Sequence, residues 1–388
     1  MQRTVDILLA LCQTHLASPI IIMESTAHYH RILHQYFINV GIEVVVINPI
    51  QSGGLKNLNI RKIKNDKTDA KRLALLYHLQ MLQKSSEQHG ILDALKDLTR
   101  QRTDIVSERV KFSNKLTALL DQAFPGYRKV FRDLRGKASL AVLCNFPTPK
   151  MVLSTHRDVI LAVAGTACGR RVDSLFLTKK IDELILTAKS AEEICISRVS
   201  FEHLIILNAS MLKTLEQAAN ELEEVIISLA KNNASVWEKV ELLVSIPGIA
   251  NYSATVLLAE IGDRSRFSKP KQLVAFCGLD PSVKQSGKSF SAHNRISKRG
   301  SSYLRNTLNI CTHVAVHSGR AKTPQNPVLA SFYEEKHKSK PANVAFCACM
   351  RKMVLIIYAV LRNGTPFELR TPEEHVDLMK EYNAALVA

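Results

Sequence analysis

Residues 19–48 read PIIIMESTAHYHRILHQYFINVGIEVVVIN, and this stretch decides the fold class. Pro19-Ile-Ile-Ile-Met-Glu24 and Glu43-Val-Val-Val-Ile-Asn48 are short, continuous apolar runs rich in β-branched residues. Such runs suit strands covered on both faces. The polar-apolar alternation between them, from about Thr26 to Val40, has the period of a helix. Strand, helix, strand with uninterrupted apolar strands implies a parallel sheet in an α/β domain. Upstream, residues 1–16 show an amphipathic helix through Val5, Leu8, Leu9 and Leu11. Downstream, residues 50–65 form a polar, basic loop carrying Lys56, Arg61, Lys62 and Lys64. A further helix opens near Asp66 and runs through Ala70, Leu73, Leu75 and Leu76.

Beyond this domain the pattern turns helical. Ile91 to Phe124 is one long charged amphipathic stretch, broken by Pro125-Gly126. Residues 137–190 mix helical segments with a loop near Gly165 to Arg171, and a second long helix is predicted from Ser190 to Asn232. Two long helices around a small insert predict an antiparallel arm or coiled coil, a shape that also serves dimerisation. Two helices then flank the turn Ile246-Pro-Gly-Ile-Ala250. The turn reads either as a helix-hairpin-helix that offers amides to a phosphate or as a plain helix corner. Ser302 to Val316 and Val344 to Leu361 are apolar helices, residues 318–341 a basic, Pro-containing connection, and 370–388 a polar tail. The expected divisions are 1–85 (α/β), 86–236 (helical arm), 237–370 (helical C-terminal domain) and 371–388 (tail).

The chain has 388 residues, 46% hydrophobic and 22% charged, which is a globular composition with more than one core. Its 52 basic residues against 35 acidic give a net +17, so a polyanion is the expected partner. No apolar run approaches the ~18 residues of a membrane span, and no signal pattern opens the chain. Nucleic acid is therefore preferred to membrane, and a cytoplasmic location is expected. The eight cysteines lack zinc spacing and sit among apolar neighbours, as buried free thiols do.

Three acids stand out in the α/β part. Glu24 closes a strand at the carboxyl edge of the sheet, where ligands bind in such folds. Asp66 and Asp69, at i and i+3, share one helix face about 5–6 Å apart at Cβ. Together they offer the oxygen donors that Mg²⁺ takes. Alternatively, Asp66 is an N-cap and Asp69 complements the helix dipole. His28 and His30 fall on opposite sides of a helix start and make no metal pair, and Tyr29 reads as packing.

Residues 277–305, CGLDPSVKQSGKSFSAHNRISKRGSSYLR, gather a second set of candidates. From Arg264 to Arg305 there are ten Lys or Arg and one acid, Asp280. Ser286 stands before Gly287 and between Lys284 and Lys288, in what reads as an irregular turn. A hydroxyl there is a candidate nucleophile if activated by a metal or by cations. A solvated basic loop is the alternative. Lys284, Lys288, Arg295, Lys298, Arg299 and Arg305, with Lys62 and Lys64 of the first loop, are the expected phosphate contacts.

In one order, the motifs IIMESTAHY (21–29), VVVINP (44–49), KNDKTDA (64–70), SIPGI (245–249), LLAEIGD (257–263), AFCGLDP (275–281), QSG (285–287) and ISKRGSSYLR (296–305) resemble the DEDD transposases of bacterial insertion sequences. These are RuvC-like recombinases related to the Piv invertase and guided by a bridge RNA. The resemblance covers nearly the whole chain. It implies an RNase H/RuvC-like α/β domain, a coiled-coil connection and a helical C-terminal transposase domain, and an activity of cutting, exchanging and rejoining DNA. It implies that Glu24, Asp66 and Asp69 are three of the four Mg²⁺-binding acids. It makes Ser286 the residue that forms a covalent phosphoserine link to DNA. It further implies a homodimer or homotetramer with sites shared between subunits. The family's first Asp lies on a strand upstream of everything here, and Asp6, in a helix, cannot replace it. The expectation is a missing first hairpin, from a mis-assigned start or a truncated copy, and impaired activity of the chain as written. A hydrolytic RuvC-like nuclease and an inactive nucleic-acid-binding remnant are the competing readings.

Overall fold

The computed structural model describes residues 2–15, 18–25, 29–47, 66–80, 90–169, 174–196, 198–282, 285–286, 289–290, 295–317, 323–371, 373–374 and 377. The chain divides into two compact units, Met1–His89 and Gly90–Ala388.

The first unit contains α1 (Gln2–His15), β1 (Ile20–Glu24), α2 (Tyr29–Asn39), β2 (Glu43–Ile47) and α3 (Asp66–His78). The two strands pair in parallel, from Ile20 opposite Glu43 to Glu24 opposite Ile47. Residue 41 shows why helix and strand follow so tightly. Gly41 takes φ 78°, its N–H donates to Ile38 O at 2.9 Å, and Ile42 N–H donates to Phe37 O at 2.9 Å. This is the Schellman ending, which needs a residue free to adopt the left-handed region. Its apolar contact is present as well, because Ile42 and Phe37 join Val5 in the unit's small core. The chain thus leaves α2 pointed into β2, whose Val45, Val46 and Ile47 are buried. Helix α2 packs on β2 and α3 on β1. Tyr29 is 70% exposed.

The second unit is helical apart from one hairpin among its described residues. Helices α4 (Ile91–Ala123) and α10 (Val199–Lys231) have 33 residues each and lie side by side. At 1.5 Å per residue each is about 50 Å long. Their register is antiparallel. Arg102 pairs with Glu223 and donates to Ala219 O, Arg109 pairs with Glu216 at 2.8 Å, and Ile196 N–H reaches Gln122 O at 2.9 Å. The expected arm is therefore present, with a later start to its second helix. Ser174–Glu192 is a separate helix, α9, and α8 (Arg157–Cys168) runs through Gly165, the expected start of the loop.

The arm joins two cores. At its far end Leu116, Leu120, Ile205 and Leu212 pack with α5 (Tyr127–Val130), α6 (Lys137–Asn145), α7 (Pro149–Ser154), α8 and α9. Tyr127 is fully buried there and donates to Ser139 O at 3.0 Å, and burial raises its pKa far above the ordinary range. At the near end Leu95, Ile226 and Ala230 enter the core of α11 (Ala234–Val244), α12 (Asn251–Ile261), α13 (Pro270–Phe276), α14 (Ser302–Val316), α15 (Pro327–Ser339) and α16 (Ala342–Asn363).

Three expectations need correction here. Residues 318–341 are more than a connection, because α15 occupies most of them, capped by Asn326, whose side chain accepts from Leu329 N–H at 2.9 Å. One described helix, α16, is long and apolar enough to cross a membrane, with a mean hydropathy of 2.0. It is a core helix here: Cys349, Met353 and Ile357 are fully buried, and α11, α13, α14 and α15 pack against it. A helix covered on several sides carries the same composition as a span. Of the eight free cysteines only Cys277, Cys311 and Cys349 are buried, with burial pushing the Cys277 thiol up to about 12. The other five are half-exposed.

Candidate catalytic site

Glu24 is the last residue of β1 and half-buried. The sheet pairing continues just past it, where Ser25 N–H donates to Ile47 O at 2.9 Å. The strand end is therefore held on both sides of the carboxylate. Asp69 lies in the first turn of α3, half-buried, and its Oδ1 accepts from Arg72 Nη1 at 3.0 Å. Asp66 is the first residue of that helix, and its side chain falls outside the described residues, as do His28, Lys62 and Lys64. Because α3 packs on β1, the fold brings the two acid-bearing elements together. Among the described residues no three His, Cys, Asp or Glu gather tightly enough to hold a metal. The chemistry of the donor set, carboxylate oxygens only, fits a hard divalent cation.

The serine segment is built as a hairpin on a clamped base. Ser282 N–H and Oγ both donate to Arg295 O at 2.8 Å, and Pro281 bridges Ile296. Ser297 N–H donates to Asp280 O at 2.8 Å, and its hydroxyl bonds the Asp280 carboxylate. Lys298 N–H reaches Gly278 O at 3.0 Å, with Lys298 itself at φ 54°. The two chains meet so closely that a Cβ on Gly300 would lie 1.8 Å from Phe276 O. Further out, β3 (Gln285–Ser286) pairs antiparallel with β4 (Ser289–Phe290), setting Ser286 opposite Ser289. Ser286 thus lies in a short paired strand rather than an irregular turn. Its side chain, and Lys284 and Lys288 entirely, fall outside the described residues.

Arg295, Lys298 and Arg299 are exposed beside this base. Arg305 also braces the clamp. Its Nη1 donates to Gly300 O at 2.5 Å and Cys277 O at 3.3 Å, tying the first turn of α14 to both sides of the clamp. The turn at 246–250 is a packed helix corner. Gly248 has φ 96°, and a Cβ there would lie 2.6 Å from Cys311 O of α14.

A polar network missed in the sequence ties the arm to this domain. Arg100 of α4 grips Glu260 of α12 with both ends, at 2.6 and 2.9 Å. Its guanidinium lies 5.0 Å from the Tyr303 ring, whose hydroxyl donates to Asp104 at 2.9 Å. The hydrogen bond to Glu260 raises the Arg100 pKa, and desolvation lowers that of nearby Lys96. The available signal was Glu260 itself, a lone acid in the apolar run ATVLLAEI (254–261), which must find a partner when buried.

Comparison with known proteins matches residues 2–125 to a transposase model of the DEDD type of IS110 and residues 240–334 to the transposase IS116/IS110/IS902 family. The chain belongs to this family of bacterial insertion-sequence transposases. The first match contains Glu24, Asp66 and Asp69, and the second contains Ser286 and the clamped basic hairpin. The pilin gene-inverting protein of Moraxella bovis is 33% identical over 154 residues, 39% of this chain and 46% of that protein. The 43.6 kDa protein of insertion element IS110 from Streptomyces coelicolor is 23% identical over 321 residues, 79% of this chain and 73% of that one. The transposase of IS1328 from Yersinia enterocolitica is 30% identical over 147 residues, 38% and 42% of the two chains. The chain spans less than half the length of the gene-inverting protein.

Proposed function

We propose that this chain is a DNA recombinase that moves an insertion sequence, with Ser286 as its nucleophile. What carries the reading is the order of the two matched segments: acids on a strand end and helix start, then a serine on a hairpin between basic residues. The Ser286 hydroxyl attacks a DNA phosphorus, its proton passes to solvent, and the bond from phosphorus to one sugar oxygen breaks. That sugar oxygen takes up a proton and leaves as a free hydroxyl. The phosphoserine ester keeps the energy of the broken bond, so a hydroxyl from another strand can reverse the step and rejoin DNA without ATP. Glu24, Asp66 and Asp69 are the residues that would hold Mg²⁺, which supplies charge to the phosphoryl oxygens and favours an ionised nucleophile. Arg295, Lys298 and Arg299, with Lys284 and Lys288, grip the flanking phosphates, and each grip adds salt dependence to binding. Arg305 holds the hairpin in place. A guide RNA choosing the DNA target fits a chain with no base-reading motif, and a dimer or tetramer fits the arm.

The test is a trapped adduct. End-labelled DNA bearing the element's termini is incubated with the protein and Mg²⁺ and quenched in detergent. Labelled DNA should migrate with the protein, and the signal should vanish in Ser286→Ala and with chelator. Cleaved DNA without attached protein would mean that water attacks, and would overturn the serine mechanism.

A further inference from the structure

The end of α14, the second half of α15 and the second turn of α16 bring five rings onto one part of the C-terminal core. His313 and His317 stack at 4.2 Å with planes 20° apart. Tyr333 and His337 stack at 5.5 Å and 21°, and Tyr333 lies 5.6 Å from His317. Phe346 stands 6.2, 6.0 and 6.3 Å from His313, His317 and Tyr333. A cluster made only for packing would bury its rings, yet all three imidazoles are exposed and Tyr333 is half-exposed.

A metal site does not explain them. Imidazole lone pairs lie in the ring plane, and in two near-parallel stacked rings they do not converge on one ion as metal coordination requires. Two of the rings, His317 and His337, also meet backbone carbonyls. His317 Nδ1 lies 3.2 Å from His313 O, and His337 Nδ1 lies 3.3 Å from Lys340 O. A carbonyl only accepts, so each Nδ1 carries the hydrogen and fixes its ring. The faces of these two rings are thus presented with less rotational freedom left to lose on binding.

Cations accompany the rings. Lys336 and Lys352 both lie 5.4 Å from the Phe332 ring beside them, Lys338 and Lys340 are exposed, and Glu335 is taken up by Lys336 at 3.6 Å. Flat rings beside lysines match unpaired bases on a phosphate backbone. A duplex has its base faces covered by its own stacking and offers nothing to such a surface.

We propose that this ring array is a stacking platform for a single-stranded nucleic-acid segment. It lies at the far end of α14 from the turn that braces the serine hairpin, about 22 Å away along a helix of 15 residues. It does not depend on the chemistry of Ser286.

The test is fluorescence anisotropy of the full chain with labelled oligothymidylate or oligouridylate of about twenty nucleotides, longer than one stacking site needs, and with a duplex of equal length. His317→Ala and Tyr333→Ala should each weaken single-strand binding about tenfold and leave duplex binding and the slope against salt unchanged. His317→Phe and Tyr333→Phe keep a flat ring and should bind within about twofold of the parent. Tighter binding of the oligouridylate assigns the platform to RNA, and of the oligothymidylate to DNA. Ser286→Ala should bind like the parent, which separates this outcome from failure of the recombinase chemistry. Alanine variants that bind single strands normally, lose duplex and single strand alike, or lose no more than the phenylalanine variants would overturn the proposal.

Discussion

The grip of Arg100 on Glu260 sets up a sharp test of what holds the arm to the C-terminal core. The Glu260 side chain is 1% exposed and that of Arg100 36%. Removing one partner of a buried ion pair costs about 3–5 kcal/mol, chiefly for the charge left behind. The two halves are not equal here. Glu260→Gln leaves a guanidinium that is a third exposed and can recover water, so its cost should fall near about 2–3 kcal/mol. Arg100→Ala leaves a carboxylate walled off from water, and its cost should be about 4 kcal/mol. Replacing both by Met removes both charges and should cost only about 1 kcal/mol. For a unit the size of Gly90–Ala388, an unfolding entropy of about 2 cal/mol/K per residue makes 1 kcal/mol worth about 1.6 °C. The expected losses in melting temperature by calorimetry are thus about 6 °C for Arg100→Ala, about 4 °C for Glu260→Gln and under about 2 °C for the double Met variant. Equal losses in the two single variants, or a double variant that loses their sum, would refute the reasoning.

Other outcomes follow from the same structure. Gly300→Ala places a Cβ 1.8 Å from Phe276 O, so the clamp must open; urea unfolding should show a loss of at least about 3 kcal/mol, and adduct formation should fall with it. Desolvation lowers the Lys96 pKa from 10.5, so the folded state releases its proton before the unfolded state does. The contribution of Lys96 should therefore rise with pH between that lowered value and 10.5, against the loss from the buried thiols, so the parent should lose less stability with pH over that window than Lys96→Met in parallel melts. Tyr127→Phe removes the donor to Ser139 O inside the arm's far core and should cost about 1 kcal/mol in urea unfolding without changing DNA binding.

The elements that could be read from sequence are those with a strong local cause. Both strands of the parallel pair fall within a residue of their apolar runs, because β-branched stretches have no competing period, although only β2 is buried and β1, expected to be covered on both faces, is half-exposed. Helix α14 begins and ends where its apolar pattern does, with Ser301 as the cap accepting from Leu304 N–H at 3.3 Å. The failures also have physical causes. The break between α9 and α10 carries no Gly or Pro, and Ile196 instead turns by bonding Gln122 across the arm, a tertiary contact with no local signature. Helix α15 was masked by its basic composition, although Asn326-Pro327 is a cap followed by a residue suited to the first helical position. The hairpin of Ser286 has strands of two residues, too short to show a period. Among the site residues, Glu24 and Asp69 could be placed by position alone. The task of Arg305 depends on carbonyls reached through the fold, and the Arg100 pair joins residues 160 apart.

The central claim is that Ser286 becomes covalently joined to DNA, and the most direct measurement is mass spectrometry of the trapped adduct. After nuclease and protease digestion, the account predicts one peptide containing Ser286 that carries a nucleotide through phosphate, absent from Ser286→Ala and from chelated samples. A nucleotide on any other residue, or strand cleavage with every serine unmodified, would contradict it.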